Sequence, residues 1–399
     1  MIPENLAGRR IAITGSTGFL GTALVERLLR SAPGCELVLI LRPGRRGAGR
    51  RVERDILRND AFDNLRSQLG TDGFAEMTSR RITAVAGDVT SDSLGLDADG
   101  LAALASCDIV IHSAAVVSFD SPLDQAVEVN LLGPVRIVET LASLGATPHL
   151  VTVSTCYVAG SRRGRAPEEP VDASSFFVDV DWRGEVDAAR RIRLDTETES
   201  RTPGNLKGFR SEAHGELGAA GIPSLAAKTE QLRCRWVDEK MAAAGVARAT
   251  SLGFPDAYAF TKALGEIAVA ESAGDVPISV VRPAIIESAH SEPSPGWIRG
   301  FRMAEPVIIS YARGLLKEFP GVPEGTVDVI PVDFVVAAIC AVAARGPLGP
   351  DEGADIVQVA SGSVNPLQYG HLVDMVREWF TENPIYDEMG QPITVPQWS

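Results

Sequence analysis

A chain of 399 residues, 45% hydrophobic and 23% charged, can bury a large core and exceeds one minimal domain, so two joined lobes are expected and wholesale disorder is excluded. A formal net charge of -14 excludes nonspecific nucleic-acid binding, which needs a clustered surplus of Lys and Arg. Cys35, Cys107, Cys156, Cys234 and Cys340 stand far apart with no C-x-x-C pair, so neither a metal site nor a disulfide framework is expected.

The opening MIPENLAGRRIAITG enters a strand directly, without the apolar stretch of a signal peptide. Up to residue 160, short apolar runs alternate with stretches of helical length, the pattern of a parallel sheet covered on both faces. The strands are RIAITG (10 to 15), LVLILR (37 to 42), ITAVAG (82 to 87), DIVIHSAA (108 to 115) and LVTVST (150 to 155), with helices over 20 to 30, 51 to 69, 98 to 106 and 123 to 144. This predicts an α/β Rossmann-type doubly wound parallel sheet over 1–160. Residues 161–250 are polar and rich in Arg and Glu, which predicts an inserted cap with a helix around 224 to 244. The sheet resumes over 251–286, with a helix from 256 to 272 and a strand at 277 to 286. Residues 287–399 are expected to form mainly a smaller substrate-binding lobe, with a strand at 327 to 331, a helix at 332 to 344, a strand at 355 to 360 and a helix at 366 to 380. The most apolar run, FVVAAICAVA, falls well short of the roughly 20 residues that span a bilayer, so a cytoplasmic location is expected.

Chemistry concentrates at strand ends. TGSTGFLG sets Gly15, Gly18 and Gly21 three apart where the first strand turns into a helix, with Thr17, Phe19 and Leu20 between them. Glycines there allow a tight turn, close approach of a pyrophosphate and close helix packing, and the helix N-terminus faces the anion. The second strand ends on Arg42, with Arg45 and Arg46 following, where a site for NADH would place a carboxylate. Guanidinium groups bind a 2′-phosphate, so NADPH is the expected cofactor. Asp88 and Val89, after the third strand, are placed to meet the adenine, and the small Ala114 and Ala115 end the fourth.

Among only five lysines, Lys262 stands four residues after Tyr258, on one face of a helix. An ammonium within reach lowers a phenol's pKa and fits it to deliver a proton near neutrality, and the lysine would also hold ribose hydroxyls. Thr155 and Ser154 end the fifth strand at the ligand-binding edge, where a hydroxyl polarises a carbonyl. Asn130 in VEVNLLGP suggests a buried polar role in a helix, and His112 reads as a strand residue satisfied in the core.

Together TGSTGFLG, VNLLG, VSTCYVAG, YAFTK and VVRPAI resemble an extended short-chain dehydrogenase/reductase over nearly the whole chain. LGFPDAYAFTKALGE, the block SAHSEPSPGWIRGF and VDVIPVDFVVAA resemble, more closely, the alcohol-forming fatty acyl-CoA reductases. That resemblance implies NADPH-dependent reduction of a long-chain acyl-CoA to aldehyde and then to primary alcohol. It implies that Thr155, Tyr258 and Lys262 match the family's catalytic Ser/Thr, Tyr and Lys, and that Pro283 lies against the cofactor. An acyl groove is expected from Trp297, Ile298 and Phe301 together with the 224 to 244 helix. The roughly 90-residue insertion departs from the family pattern, and both contact with a membrane surface and continuation into a further fused domain beyond Ser399 stay open. Three alternatives remain at this point: a thioester reductase domain fed by a carrier protein, a nucleotide-sugar epimerase or dehydratase, and a cofactor-binding scaffold without catalysis.

Overall fold

The computed structural model of the chain describes residues 2–162, 164–174, 177–218, 224–300, 304–316, 321–349 and 354–396. Eleven strands occur among them: β1 Arg10–Thr14, β2 Glu36–Leu41, β3 Ile82–Ala86, β4 Ile109–His112, β5 His149–Val153, β6 Ile278–Pro283, β7 Ile285–Glu287, β8 Thr326–Val327, β9 Val329–Pro331, β10 Asp355–Val359 and β11 Leu367–Gln368. Seven form one parallel sheet in the order β10-β6-β5-β4-β1-β2-β3. The order reverses beside β1, and in such sheets ligands bind at the carboxyl ends of the strands flanking that reversal. β4 and β5 are buried along their whole length, as continuous apolar runs covered by helices on both faces require.

The structure departs from the expected elements along the chain. The 277 to 286 strand ends at Pro283, and β7 pairs instead with β9 in a small sheet of its own. The expected 51 to 69 helix is broken, the Asp63–Arg81 helix starting only after a 3-10 turn at Asp60–Phe62. The polar stretch holds three helices, Trp182–Ser200, Pro203–Leu217 and Leu225–Ser251, where one was expected. Finally, the Val332–Arg345 helix and β10 join the central sheet and its covering layer, whereas β8 and β11 pair in a small sheet apart from it.

Two apolar clusters flank the sheet. One packs the Phe19–Ser31 and Val332–Arg345 helices on β1, β2 and β5 and includes Trp297. The other sets Ile137, Val138, Leu141 and Val269 against Ala12, Val38, Val110 and Leu150 of the strands. A further cluster, away from the strands, joins the Leu225–Ser251 helix to the Ala257–Ser272 helix through Val237, Met241, Ala249, Phe254 and Phe260.

Candidate active site

The glycine loop takes its shape from steric necessity at two positions. Gly15 has φ +76, and a Cβ there would lie 2.5 Å from the backbone N of Ala114. A Cβ on Gly21 would lie 2.2 Å from the Gly15 carbonyl oxygen, so the loop folds back on its own helix. Gly18 differs: its φ is -82, and a Cβ would meet only Gly15 O, at 3.3 Å. The protein itself barely requires glycine at that position, which suits a residue kept small for a ligand. No side chain caps the Phe19–Ser31 helix, so the N–H groups of its first turn face the loop, as an anion site requires. Ser16 Oγ and Ser154 Oγ are buried beside this cleft without a hydrogen-bond partner among the described residues. Buried hydroxyls are seldom left so. The cradle and the two orphaned hydroxyls therefore fit a dinucleotide phosphate and its ribose.

Arg45 and Arg46 sit on an exposed turn closed by the hydrogen bond from Gly47 N to Gly44 O at 3.0 Å, and Arg42 is exposed beside it. None of the three forms an ion pair among the described residues, so all are available to an anion. Asp88 Oδ1 accepts from Thr90 N at 3.0 Å, which forms a turn after β3, and Val89 is buried. Ala114 and Ala115 are half-buried at the end of β4, with Ala114 against Gly15.

Asp256 caps the Ala257–Ser272 helix, its Oδ1 accepting from Ala259 N at 2.8 Å. This helix holds Tyr258 and Lys262 against β5. Thr155 lies beside the Tyr258 phenol and favours its ionised form, accepts from Tyr157 N at 3.2 Å, and donates to Pro283 O at 3.5 Å. Lys262 Nζ donates to Val153 O at 2.9 Å, which leaves two of its three N–H donors unused by that contact. Burial is the leading cause of both pKa shifts. The Lys262 ammonium is pushed down to about 8, with Glu266 opposing, and the Tyr258 phenol up to about 12, with Thr155 opposing. The expectation that Lys262 lowers the Tyr258 pKa is corrected here: the ammonium points to the Val153 carbonyl, and desolvation of the ring dominates.

Asn130 lies in a π-helical turn, Val127–Leu131, that interrupts the expected 123 to 144 helix, a feature frequent at functional sites. Its Oδ1 accepts from Val116 N at 2.9 Å, and its Nδ2 donates to Val116 O at 3.0 Å and to Thr261 Oγ1 at 3.3 Å. Asn130 thus ties the loop after β4 to the helix bearing Tyr258. That loop carries a residue the sequence reading missed. Phe119 lies 6.3 Å edge-on from Tyr258 and 6.3 Å from Tyr157, while remaining 38% exposed. With Val117, 39% exposed, it forms an apolar rim at the tyrosine. The only signal was the apolar pattern of AAVVSFD continuing past the end of β4. On the other side of Thr155 a pocket of about 150 Å³ is lined by Cys156, Val158, Phe177, Phe254, Arg282 and Gln358.

Among the described residues the expected acyl groove is not formed. Trp297 is buried against Phe19, ring centroids 5.3 Å apart, and belongs to the cluster on the glycine-loop side, whereas the 224 to 244 helix packs in the cluster away from the strands. Ile298 is half-buried in the same strand of chain, and Phe301 lies outside the described residues. His112 is only half satisfied: Thr14 Oγ1 lies 2.8 Å from Nδ1, Nε2 has no partner among the described residues, and burial lowers its pKa to about 3. A Ser/His/Asp trio also exists, at the opposite edge of the sheet. There Ser279 hydrogen-bonds both His149 and Asp355, so the serine rather than the histidine is central, and no nucleophile is activated.

The family model described as male sterility protein, an NAD-binding family, matches residues 13–339. The chain belongs to this family. Its cofactor is accordingly a nicotinamide dinucleotide. This family member is 31% identical over 396 residues to the chloroplastic fatty acyl-CoA reductase 2 of Arabidopsis thaliana, covering 98% of this chain and 60% of that protein. It is 31% identical over 399 residues to the alcohol-forming fatty acyl-CoA reductase of Simmondsia chinensis, covering 99% of this chain and 75% of the relative. Among solved structures, the terminal R domain of the myxalamid PKS-NRPS pathway superposes with a TM-score of 0.57 at 19% identity, over 94% of this chain and 73% of that one. The R domain of a nonribosomal peptide synthetase from Mycobacterium tuberculosis gives 0.54 at 22% identity, over 96% and 72%. These two likenesses concern the fold.

Proposed function

We propose that this protein reduces long-chain fatty acyl-CoA thioesters with NADPH, first to the aldehyde and then to the primary alcohol. The observation that carries the reading is the meeting of Thr155, Tyr258 and Lys262 at the carboxyl ends of the central strands, under an apolar rim. Relatives named as acyl-CoA reductases along almost the whole chain support the substrate class. The three unpaired arginines at 42, 45 and 46 support the 2′-phosphorylated cofactor.

Thr155 and Tyr258 hydrogen-bond the thioester carbonyl oxygen and stabilise the charge it gains. When bound, NADPH supplies the hydride that reaches the carbonyl carbon. Tyr258 gives its proton to that oxygen, and the resulting hemithioacetal collapses as the C–S bond breaks, leaving aldehyde and free thiol. Lys262, held by Val153 O, offers its two remaining donors to ribose hydroxyls. The retained aldehyde would take a second hydride from a second bound NADPH while Tyr258, reprotonated from solvent, gives its proton to the oxygen, and the product leaves as alcohol. The acyl chain runs out past Phe119 and Val117, whose exposure is otherwise costly next to buried chemistry.

No helix among the described residues is long and apolar enough to cross a membrane. The five cysteines are unpaired, which supports a reducing compartment, and we assign the protein to the cytoplasm. One experiment separates CoA from carrier-protein chemistry: palmitoyl-CoA and palmitoyl-phosphopantetheinyl carrier protein offered separately with NADPH. Turnover of palmitoyl-CoA is expected. Turnover of the carrier-bound group alone would replace this reading with a carrier-fed thioester reductase.

A further inference from the structure

The block from Glu292 to Arg299, the most distinctive stretch of the sequence, lies across the outer side of the glycine-loop helix and of residues 53–64. Glu292 pairs with Arg27 and, at 2.9 Å, with Arg30, both on that helix. Trp297 stacks on Phe19, the helix's first residue, and its Nε1 donates to Asp60 Oδ1 at 2.8 Å. Arg299 spans the two elements, donating to Thr22 Oγ1 and, at 2.7 Å, to Asp55 O. Asn64 Nδ2 donates to Pro293 O at 2.7 Å. The block is itself pinned by Asp333, whose carboxylate accepts the backbone N–H groups of His290, Ser291 and Glu292. Asp55 in turn pairs with Arg51 at 3.1 Å, and Arg51 Nη1 donates to the Arg42 carbonyl at 2.6 Å. An unbroken series of contacts therefore leads from the block to both nucleotide anchors.

We infer that Glu292–Arg299 is a strap that sets the spacing between the glycine loop and the Arg42–Arg46 turn, and thereby the preference for an adenosine carrying a 2′-phosphate. The inference rests on the NADPH reading above. The ribose confines its 5′ and 2′ phosphates to a limited range of separation, so both anchors engage together only if the protein holds them within that span. The arginine turn is exposed and makes no ion pair among the described residues to fix it. The strap is the piece of chain that grips the glycine-loop helix and the segment behind the turn together. Trp297 and Arg299 act through Asp60, Asp55 and Arg51, and so are positioning residues.

Calorimetric titration of the full chain with adenosine 2′,5′-bisphosphate and with adenosine 5′-monophosphate tests this without any turnover. Arg299→Lys loses the fork that reaches both elements, and Trp297→Phe keeps the ring against Phe19 while deleting the donor to Asp60. Wild type is expected to bind the bisphosphate about tenfold or more tighter, the worth of one charge-assisted contact. Each variant should cut that ratio about fivefold while binding of the monophosphate changes less than about twofold. Equal weakening of both ligands, or no weakening of either, overturns the strap, since a merely structural role would spare the ratio. A wild-type ratio near one overturns the NADPH reading and the strap with it.

Discussion

Lys262 is buried and Tyr258 half-buried, and loss of water acts on them in opposite directions, raising the phenol to about 12 and lowering the ammonium to about 8. The proton donor is therefore protonated across the working range, and the group that titrates within it is Lys262. Only the ammonium has all three N–H donors, one for Val153 O and two for ribose hydroxyls, so kcat/KM for the acyl-CoA should be flat at neutral pH and fall as pH rises through about 8. A pH–rate profile from 6 to 10 checks this, and an unchanged rate at pH 10 would remove Lys262 from the mechanism. The linkage sign follows from the same shift: the folded pKa lies below the unfolded one, so this group costs stability below about 8 and the cost is relieved as pH rises toward 10.5. Phe119 belongs to this scale as well. Phe119→Asp places a charge on the path assigned to the acyl chain and should raise the KM for palmitoyl-CoA about tenfold with little effect on cofactor affinity, measured by parallel saturation curves. The Tyr/Lys pair was legible because its spacing is a helical repeat joined to a glycine loop. The direction of the phenol's shift was not, since it depends on where the ammonium points and on how much solvent the fold removes.

The glycine loop is the element where sequence and geometry agree most fully, and it offers a direct comparison. Gly21→Ala drives a methyl into the Gly15 carbonyl and should cost about 3 kcal/mol, seen as a fall in Tm of roughly 5 °C or more. Gly18→Ala should leave Tm nearly unchanged and weaken nucleotide binding, because the room there serves the ligand rather than the fold. Differential scanning calorimetry with and without NADPH distinguishes the two. The strands were readable because helices cover both faces of the sheet and force continuous apolar runs. The Trp182–Ser200 and Pro203–Leu217 helices were not, because charged pairs rather than an apolar stripe hold much of their surface. Arg233, 3% exposed, reaches Glu197 on one helix and Glu230 on its own, so a buried contact was written in residues that read as solvated. Trp297 failed in the opposite way: an apolar block beside the active-site strands reads as a ligand wall, and only tertiary packing shows that it faces the nucleotide-binding helix.

At the scale of the whole molecule, one parallel sheet brings together parts of the chain that lie hundreds of residues apart. β10 closes the sheet beside β6, and the Arg282–Glu266 pair, with contacts of 2.6 and 3.0 Å, locks β6 to the helix that carries Tyr258. The chain spans 60% of the Arabidopsis reductase and 75% of the Simmondsia one, so the activity proposed here is that of a catalytic unit described on its own residues. Its central claim is that Tyr258 delivers the proton in NADPH-dependent reduction of an acyl thioester. The most direct measurement follows NADPH oxidation and free thiol together, with palmitoyl-CoA, in wild type and in Tyr258→Phe. The wild type is expected to consume two NADPH per thiol released, and the variant to lose at least about a hundredfold in rate with NADPH binding retained. Wild-type thiol release by Tyr258→Phe, or no NADPH-dependent thiol release by the wild type, would contradict that claim.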